Sequence, residues 1–391
     1  MARTGRSKGK ILVFGILFWY PLAGVTYQFL HYLLGLRRLG YDPYYVEDSG
    51  RWVYDPRIND MTGDASGNIT AVLPVLEAHD FEDRWAFRGN YPDGRCYGMS
   101  EAQLLSLYRE ADAFLNVTGA QEIREEHLSC RRRIYVQSDP FAFQVRAAQG
   151  QPQALAALRA HDTLFSFGEN LAAPDCSVPL GEHRWLPTRQ PVALDLWQNP
   201  YGTDGTVYTT ITTWSNRGND VEYQGDTYFW TKDREFKRFL ELPRQRDAAF
   251  EIAAGVGPDV RTLLRDHGWR QTDSLPISQD VDRYRTYIQR SRAEFTVARD
   301  QYVRPRTGWF SDRSACYLAA GRPVITQETG FSKFLPTGKG LFAYSTMEEI
   351  LAAVEAIESD YEGNCHAARE IAAEYFSAEK VVASLLARAG L

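Results

Sequence analysis

The chain has no CxxC pair, no HxxxH pair, no low-complexity tract and no internal repeat. Its five cysteines, Cys96, Cys130, Cys176, Cys316 and Cys365, are widely spaced and odd in number. That pattern excludes a disulfide framework and a thiolate zinc site, and fits reduced thiols in a cytoplasmic protein. No histidine pair has metal-ligand spacing, so the chemistry is expected to need neither a metal nor another cofactor. The G-x-G-x-x-G turn of a dinucleotide fold is missing after the first apolar run. Basic residues are in deficit, 44 against 50 acidic for a net charge of -6, which offers no general attraction to nucleic acid. A DNA or RNA partner is therefore not expected. The longest apolar run, ILVFGILFWYPLAG, follows the basic MARTGRSKGK and imitates a signal peptide. It reads instead as a disordered tail and a buried first strand, because Gly24 leads straight into a helical pattern. No other run suffices to span a membrane, so stable insertion is not expected.

What is present is an ordinary globular composition, 44% hydrophobic and 24% charged, over 391 residues. That length suits two α/β domains. Ile11 to Phe18 reads as a strand, Phe29 to Leu39 as an amphipathic helix and Tyr44 to Val46 as a second strand, the unit of a parallel sheet. Glu47 and Asp48 then fall at a strand end, solvated or facing an acceptor. Residues 51 to 98 are rich in turn formers and aromatics and read as a long irregular stretch. A helix capped by Ser100 follows, then strands near 113 to 117, 133 to 137 and 163 to 167. Their ends place Thr118, Asp139 and Glu169 where open α/β sheets gather ligands. A last strand within 184 to 197 closes the first domain, residues 1–197. The pattern restarts at Tyr208 for a second Rossmann-like domain, residues 203–376. A final helix within 377–391 is free to pack back on the first.

The most informative stretch is RPRTGWFSDRSACYLAAGRPVITQETGF, residues 304 to 331. Ser311 can cap a helix with Ala315, Leu318 and Ala319 inward, Gly321 stops it, and Val324 to Thr326 makes a buried strand. The strand empties into Gln327-Glu328-Thr329-Gly330. A helix start flanked by Arg299, Arg304, Arg306 and Arg313 is a seat for a phosphorylated ligand, although Asp312 in its first turn opposes one.

Two such domains carrying GWFSDRSACYLAAGRPVITQETGF resemble the GT-B glycosyltransferases, which take sugars from nucleotide diphosphates. The resemblance is nearest to the retaining, glycogen-synthase-like branch. It covers the whole chain in architecture and is specific over about residues 290 to 345. The spaced pair of glutamates that usually opens this element in that branch is missing, and Glu328 alone occupies the turn. The resemblance implies a nucleotide-sugar donor on the second domain and a hydroxyl acceptor, such as a natural product or glycan, on the first. It puts Trp214, Ser215, Lys232, Arg304, Arg306, Gly308, Ser311, Arg313, Ser314, Thr329 and Gly330 at the donor and Tyr20, Gly24 and Glu169 at the acceptor. Asp139 and Glu328 are the catalytic candidates. Asp139 reads either as an acceptor-activating base or as an Asx-turn, and His31 as a packing histidine. The aromatic loops at Trp19-Tyr20, Trp52 to Tyr54 and Tyr91 to Tyr97 suit an apolar or aromatic acceptor. Two alternatives stay open: a nucleotide-sugar epimerase of the same fold, and a non-catalytic two-lobed binding protein.

Overall fold

The structure, a computed structural model, describes residues 7–89, 95–216 and 218–391; the terminal tail through residue 6 and Tyr91 of the third aromatic loop lie outside them. The first lobe is built on an eight-stranded sheet in the order β10-β9-β8-β7-β1-β2-β5-β6. Its strands are β1 (Lys10–Phe14), β2 (Asp42–Glu47), β5 (Trp85–Arg88), β6 (Cys96–Gly98), β7 (Ala113–Val117), β8 (Arg133–Gln137), β9 (Thr163–Ser166) and β10 (Trp185–Pro187). Between β2 and β5 a separate hairpin pairs β3 (Val53–Asp55) with β4 (Asp60–Thr62). Every pairing in the large sheet is parallel except β5 with β6. Ile11 to Phe14 are fully buried, as expected of a strand covered by helices on both faces.

The second lobe holds a six-stranded parallel sheet, β15-β14-β11-β16-β17-β18. Its strands are β11 (Val207–Ile211), β14 (Ala249–Ala253), β15 (Arg270–Thr272), β16 (Ala293–Thr296), β17 (Val324–Gln327) and β18 (Leu341–Tyr344), with a small hairpin of β12 (Val221–Tyr223) and β13 (Asp226–Tyr228) beside it. In each sheet the strand order reverses once, between β1 and β7 and between β11 and β16. Ligands of such sheets bind outside the carboxyl ends of strands at that reversal. The two reversal points face each other across the molecule.

Several local expectations are corrected. The described residues between 51 and 98 are not irregular: they hold the β3–β4 hairpin, the helix Ser66–Glu77 and β5–β6. The strand expected within 184 to 197 shrinks to Trp185–Pro187, because Pro187 and Pro191 remove ladder donors. Glu47 and Asp48 are buried at 3% and 2% exposure. Glu47 accepts the backbone N–H groups of Phe18 and Trp19 at 2.5 and 2.9 Å, so it shapes the loop after β1. Ser100 does form a capping box with Gln103. The helix Ala378–Arg388 returns to the first lobe: Ala378 donates to the Val192 carbonyl at 2.9 Å, and Arg38 pairs with Glu379 at 3.0 Å. Among the described residues no helix is long and apolar enough to cross a membrane.

Candidate functional site

A cavity of about 960 Å³ lies between the lobes at the carboxyl ends of both sheets. The first lobe contributes Tyr20 and Gly24 after β1, Tyr54 and Asn59 from the β3–β4 hairpin, and Asp139 after β8. The second contributes Thr212 and Thr213 after β11, Lys232, Arg261, Arg299, and Ser311 to Arg313 with Cys316.

Lys232 is the group whose state most needs an explanation. It immediately precedes the helix Asp233–Arg238 and is 8% exposed, yet it lines the cavity. Among the described residues its ammonium has neither a hydrogen-bond acceptor nor an ion-pair partner. Burial, and then the positive charges of Arg313 and Arg299, hold its pKa well below the usual lysine range. An isolated buried charge is costly unless something pairs with it.

The neighbouring cations are engaged to different degrees. Arg313 donates through Nε to the fully buried Glu294 at 2.5 Å, through Nη1 to the Ile211 carbonyl at 2.7 Å and through Nη2 to Thr296 Oγ1 at 2.8 Å. It is a fixed floor to the cleft rather than a free hand. Arg299 stacks on Trp230 at 3.6 Å and donates to Asp139 at 3.1 Å and to the Tyr302 hydroxyl at 2.7 Å. Among the described residues its buried Nε has no partner.

Asp139 is clamped at the junction of the lobes. It accepts from Arg299, from the Tyr302 hydroxyl and from Ser138 Oγ at 2.9 Å. Asp312, on the other wall of the cavity, is half-buried, and among the described residues no ion pair holds it. Burial, and then the negative charge of Asp139, push its carboxyl up to about 7. Its opposition to an anion is accordingly absent below that pH. Because the folded-state pKa is raised above the ordinary 3.8, the proton on Asp312 contributes stability that is full below about pH 4 and lost as pH rises through 7. Asp312→Asn should remove that dependence. Its melting temperature should exceed that of the parent most at pH 8, and the difference should shrink as pH falls and vanish only below about pH 4.

Of the residues expected at the site, Tyr20, Gly24, Asp139, Lys232, Ser311 and Arg313 line the cavity. Ser311 makes no side-chain cap, and Ser314 is fully buried within its helix with its hydroxyl unpartnered. Trp214 is packed against Phe236 in the core, and Ser215 is exposed outside the cavity. Arg304 is held by both carboxylate oxygens of Asp300 at 2.7 Å and lies over Tyr228. Arg306, Gly308, Glu328, Thr329, Gly330 and Glu169 belong to a joint between the lobes. Arg306 pairs with Asp175 at 2.8 Å, as does Lys333 at 2.5 Å. Gly308 donates to the Thr329 carbonyl at 2.7 Å, Glu328 accepts from Gly330 N–H, and Glu169 is paired with Arg189. Arg306 and Glu169 met partners distant in sequence, which no local pattern announces. His31 accepts from Trp197 Nε1 at 3.1 Å, and burial drives its pKa down to about 3, so it packs as a neutral ring.

Sequence reasoning passed over Arg261 and Asn59 as cleft residues, while Tyr54 belongs to an aromatic loop expected at the acceptor. Only the start GVGPDVR hinted at the first, as a helix opening with Pro258 at its first position. The sequence also contains one Asp-x-Asp triplet, Asp280-Val281-Asp282. Asp280 caps the helix Val281–Arg290 and Asp282 pairs with Arg285 at 2.7 Å, so both carboxylates are engaged. A second cluster, Asp48, Glu126 and His127, brings its ligand atoms within 4.8 Å of one another. Arg88 and Arg124 already pair with Asp48 at 2.8 and 2.6 Å, so two guanidinium groups occupy the place a cation would take.

No protein-family model matches this chain, and no curated protein matches its sequence. Solved structures match its fold. An α-glucosyltransferase (AGT) in complex with UDP aligns over 98% of this chain and 100% of its own with a TM-score of 0.61 at 9% identity. Anabaena Alr3699/HepE in complex with UDP aligns over 98% and 99% with a TM-score of 0.57 at 10% identity. A glycosyltransferase from Rickettsia africae ESF-5 aligns over 98% of both chains with a TM-score of 0.56 at 11% identity. The chain thus has the GT-B architecture, two Rossmann-like lobes around a cleft, as its resemblance to that group implied. One expectation is overturned. The α-glucosyltransferase of this fold has also been solved with UDP and a 13-mer DNA containing an HMU base, at 9% identity and a TM-score of 0.61. Net charge therefore does not exclude a nucleic-acid partner for a protein of this architecture.

Proposed function

We propose that this protein transfers a sugar from a nucleoside diphosphate to an acceptor hydroxyl across the cleft between its lobes. The observation that carries the reading is the unpaired, buried ammonium of Lys232 facing that cleft. A diphosphate would supply the missing counter-charge. Arg299 adds a second cation with an unused Nε, Arg261 a third at the outer wall, and the start of the helix Asp312–Ala319 adds backbone N–H groups. As the bond to the anomeric carbon breaks, negative charge grows on the leaving diphosphate. Fixed cations in a partly dry site stabilise that charge with little reorganisation. Such a site can work without a metal.

Asp139 occupies the acceptor side. Held by Arg299 and Tyr302, it orients an acceptor hydroxyl and accepts its proton only as those partners rearrange. A second reading is favoured by one observation, the facing of Asp139 and Asp312 from opposite lobes. Two opposed carboxyl groups are what an epimerase of this fold requires. Incubation with UDP-sugars, with and without a panel of sugars, phenols and duplex DNA, separates the two. Acceptor-dependent release of UDP supports transfer. Conversion of the donor alone supports epimerisation, and tight UDP binding without either reaction leaves a binding protein.

A further inference from the structure

The described residues expose only four large hydrophobic side chains: Trp52 at 59%, Ile58 at 62%, Met61 at 36% and Leu128 at 46%. Three of the four sit on or beside the β3–β4 hairpin. A concentrated apolar patch on an otherwise polar surface marks a contact site. This one continues into the cleft. Tyr54 and Asn59 of the same hairpin line the cavity beside Tyr20, and Tyr54, Tyr20 and Trp19 form a chain of rings spaced 5.8 and 5.1 Å apart. The hairpin is also tied to the far lobe, since Gln279 Nε2 donates to the Pro56 carbonyl at 3.1 Å. It therefore forms one wall of the cleft mouth.

We infer that the hairpin holds an apolar portion, alkyl or aryl, of a small amphipathic acceptor, next to the hydroxyl that enters the cleft. The inference rests on the transfer reading above and deepens it. Charge favours a small molecule over a bilayer. Residues 51 to 64 carry Arg51 and Arg57 against Asp55, Asp60 and Asp64, and Arg57 is already paired with Asp55 at 2.6 Å. An acidic patch repels anionic lipid surfaces, whereas an uncharged alkyl or aryl group feels only the apolar contact. The ring chain suits flat or chain-like groups that slide along aromatic faces.

The test compares octyl β-glucoside, below its micelle concentration, with methyl β-glucoside by calorimetry on the UDP-loaded protein. The two present the same sugar hydroxyls and differ only in the tail. The octyl compound should bind at least about tenfold more tightly, since each buried methylene adds to the apolar transfer term. The double substitution Trp52→Ala, Ile58→Ser should erase most of that ratio while UDP affinity and melting temperature stay unchanged. An octyl-to-methyl ratio near one, or a ratio the double variant leaves intact, overturns the inference. So does loss of binding to neutral phosphatidylcholine vesicles in the variant with an unchanged ratio, which would make the hairpin a membrane contact. UDP binding by the parent is read separately. Its absence would count against the donor site, and the ratio measured on the unloaded protein would still decide the role of the hairpin.

Discussion

Lys232→Met should weaken UDP binding by about 100-fold and, in the same protein, raise thermal stability. Two physical terms of opposite sign meet at this residue. With a diphosphate present, a charge-assisted hydrogen bond in a partly dry site contributes about 1.5–3 kcal/mol, and each 1.4 kcal/mol is about tenfold in affinity. Without ligand, the side chain is buried with no direct ion-pair partner among the described residues, and its replacement by an apolar chain of similar length should gain about 1 kcal/mol or more. A residue retained for packing would show the reverse. The pH dependence has a definite sign. The free protein holds the Lys232 pKa well below 10.5, and an adjacent diphosphate raises it, so above the free protein's value binding takes up a proton and affinity falls as pH rises. Calorimetry in buffers of different ionisation enthalpy reads that uptake directly. Arg304→Ala and Arg306→Ala, whose guanidinium groups are spent on Asp300 and Asp175, should leave UDP affinity within about twofold.

Gly308→Ala should strain the joint between the lobes more than a single methyl group ordinarily would. Gly308 has φ +79, and a Cβ there would lie 2.4 Å from the backbone nitrogen of Asn170 in the opposite lobe. A non-glycine residue in the left-handed region costs about 1–2 kcal/mol, and overpacking against backbone adds about 1–3 kcal/mol. The strain falls on the joint where Asn170 N–H donates to the Thr307 carbonyl at 3.1 Å and Trp309 Nε1 to the Ser138 carbonyl at 2.9 Å. We expect a melting temperature several degrees lower and a larger radius of gyration by small-angle scattering. Acceptor turnover should fall further than UDP affinity, because the cations sit on one lobe and Asp139 on the other. An unchanged scattering curve with an unchanged melting temperature would show that the lobes are not held there.

These two residues also show how far the sequence could be read. Gly308 and Lys232 both lay among the expected donor contacts, and the strands, helices and lobes around them follow from apolar runs and turn residues that act over a few positions. The strands expected near 113 to 117 and 133 to 137 match Ala113–Val117 and Arg133–Gln137 for that reason. What local pattern could not supply is pairing. Arg304, Arg306 and Arg313 look alike in RPRTGWFSDR, yet one meets Asp300 one turn away, one meets Asp175 across the joint, and one meets Glu294 beneath the cleft. Lys232 stands out only once the partners of the neighbouring cleft cations, Arg299 and Arg313, are assigned. The β3–β4 hairpin was hidden for a related reason, since turn-rich sequence with short strands is stabilised by contacts such as Tyr54 N–H to the Trp19 carbonyl at 2.9 Å rather than by periodicity.

A crystal structure of the UDP complex tests the central assignment most directly. The account predicts the diphosphate between the lobes, with a terminal phosphate oxygen at about 2.8 Å from Lys232 Nζ and a second within reach of the Arg299 guanidinium. A nucleotide whose phosphates lie on Arg304 or Arg306, with Lys232 still bare, would contradict it.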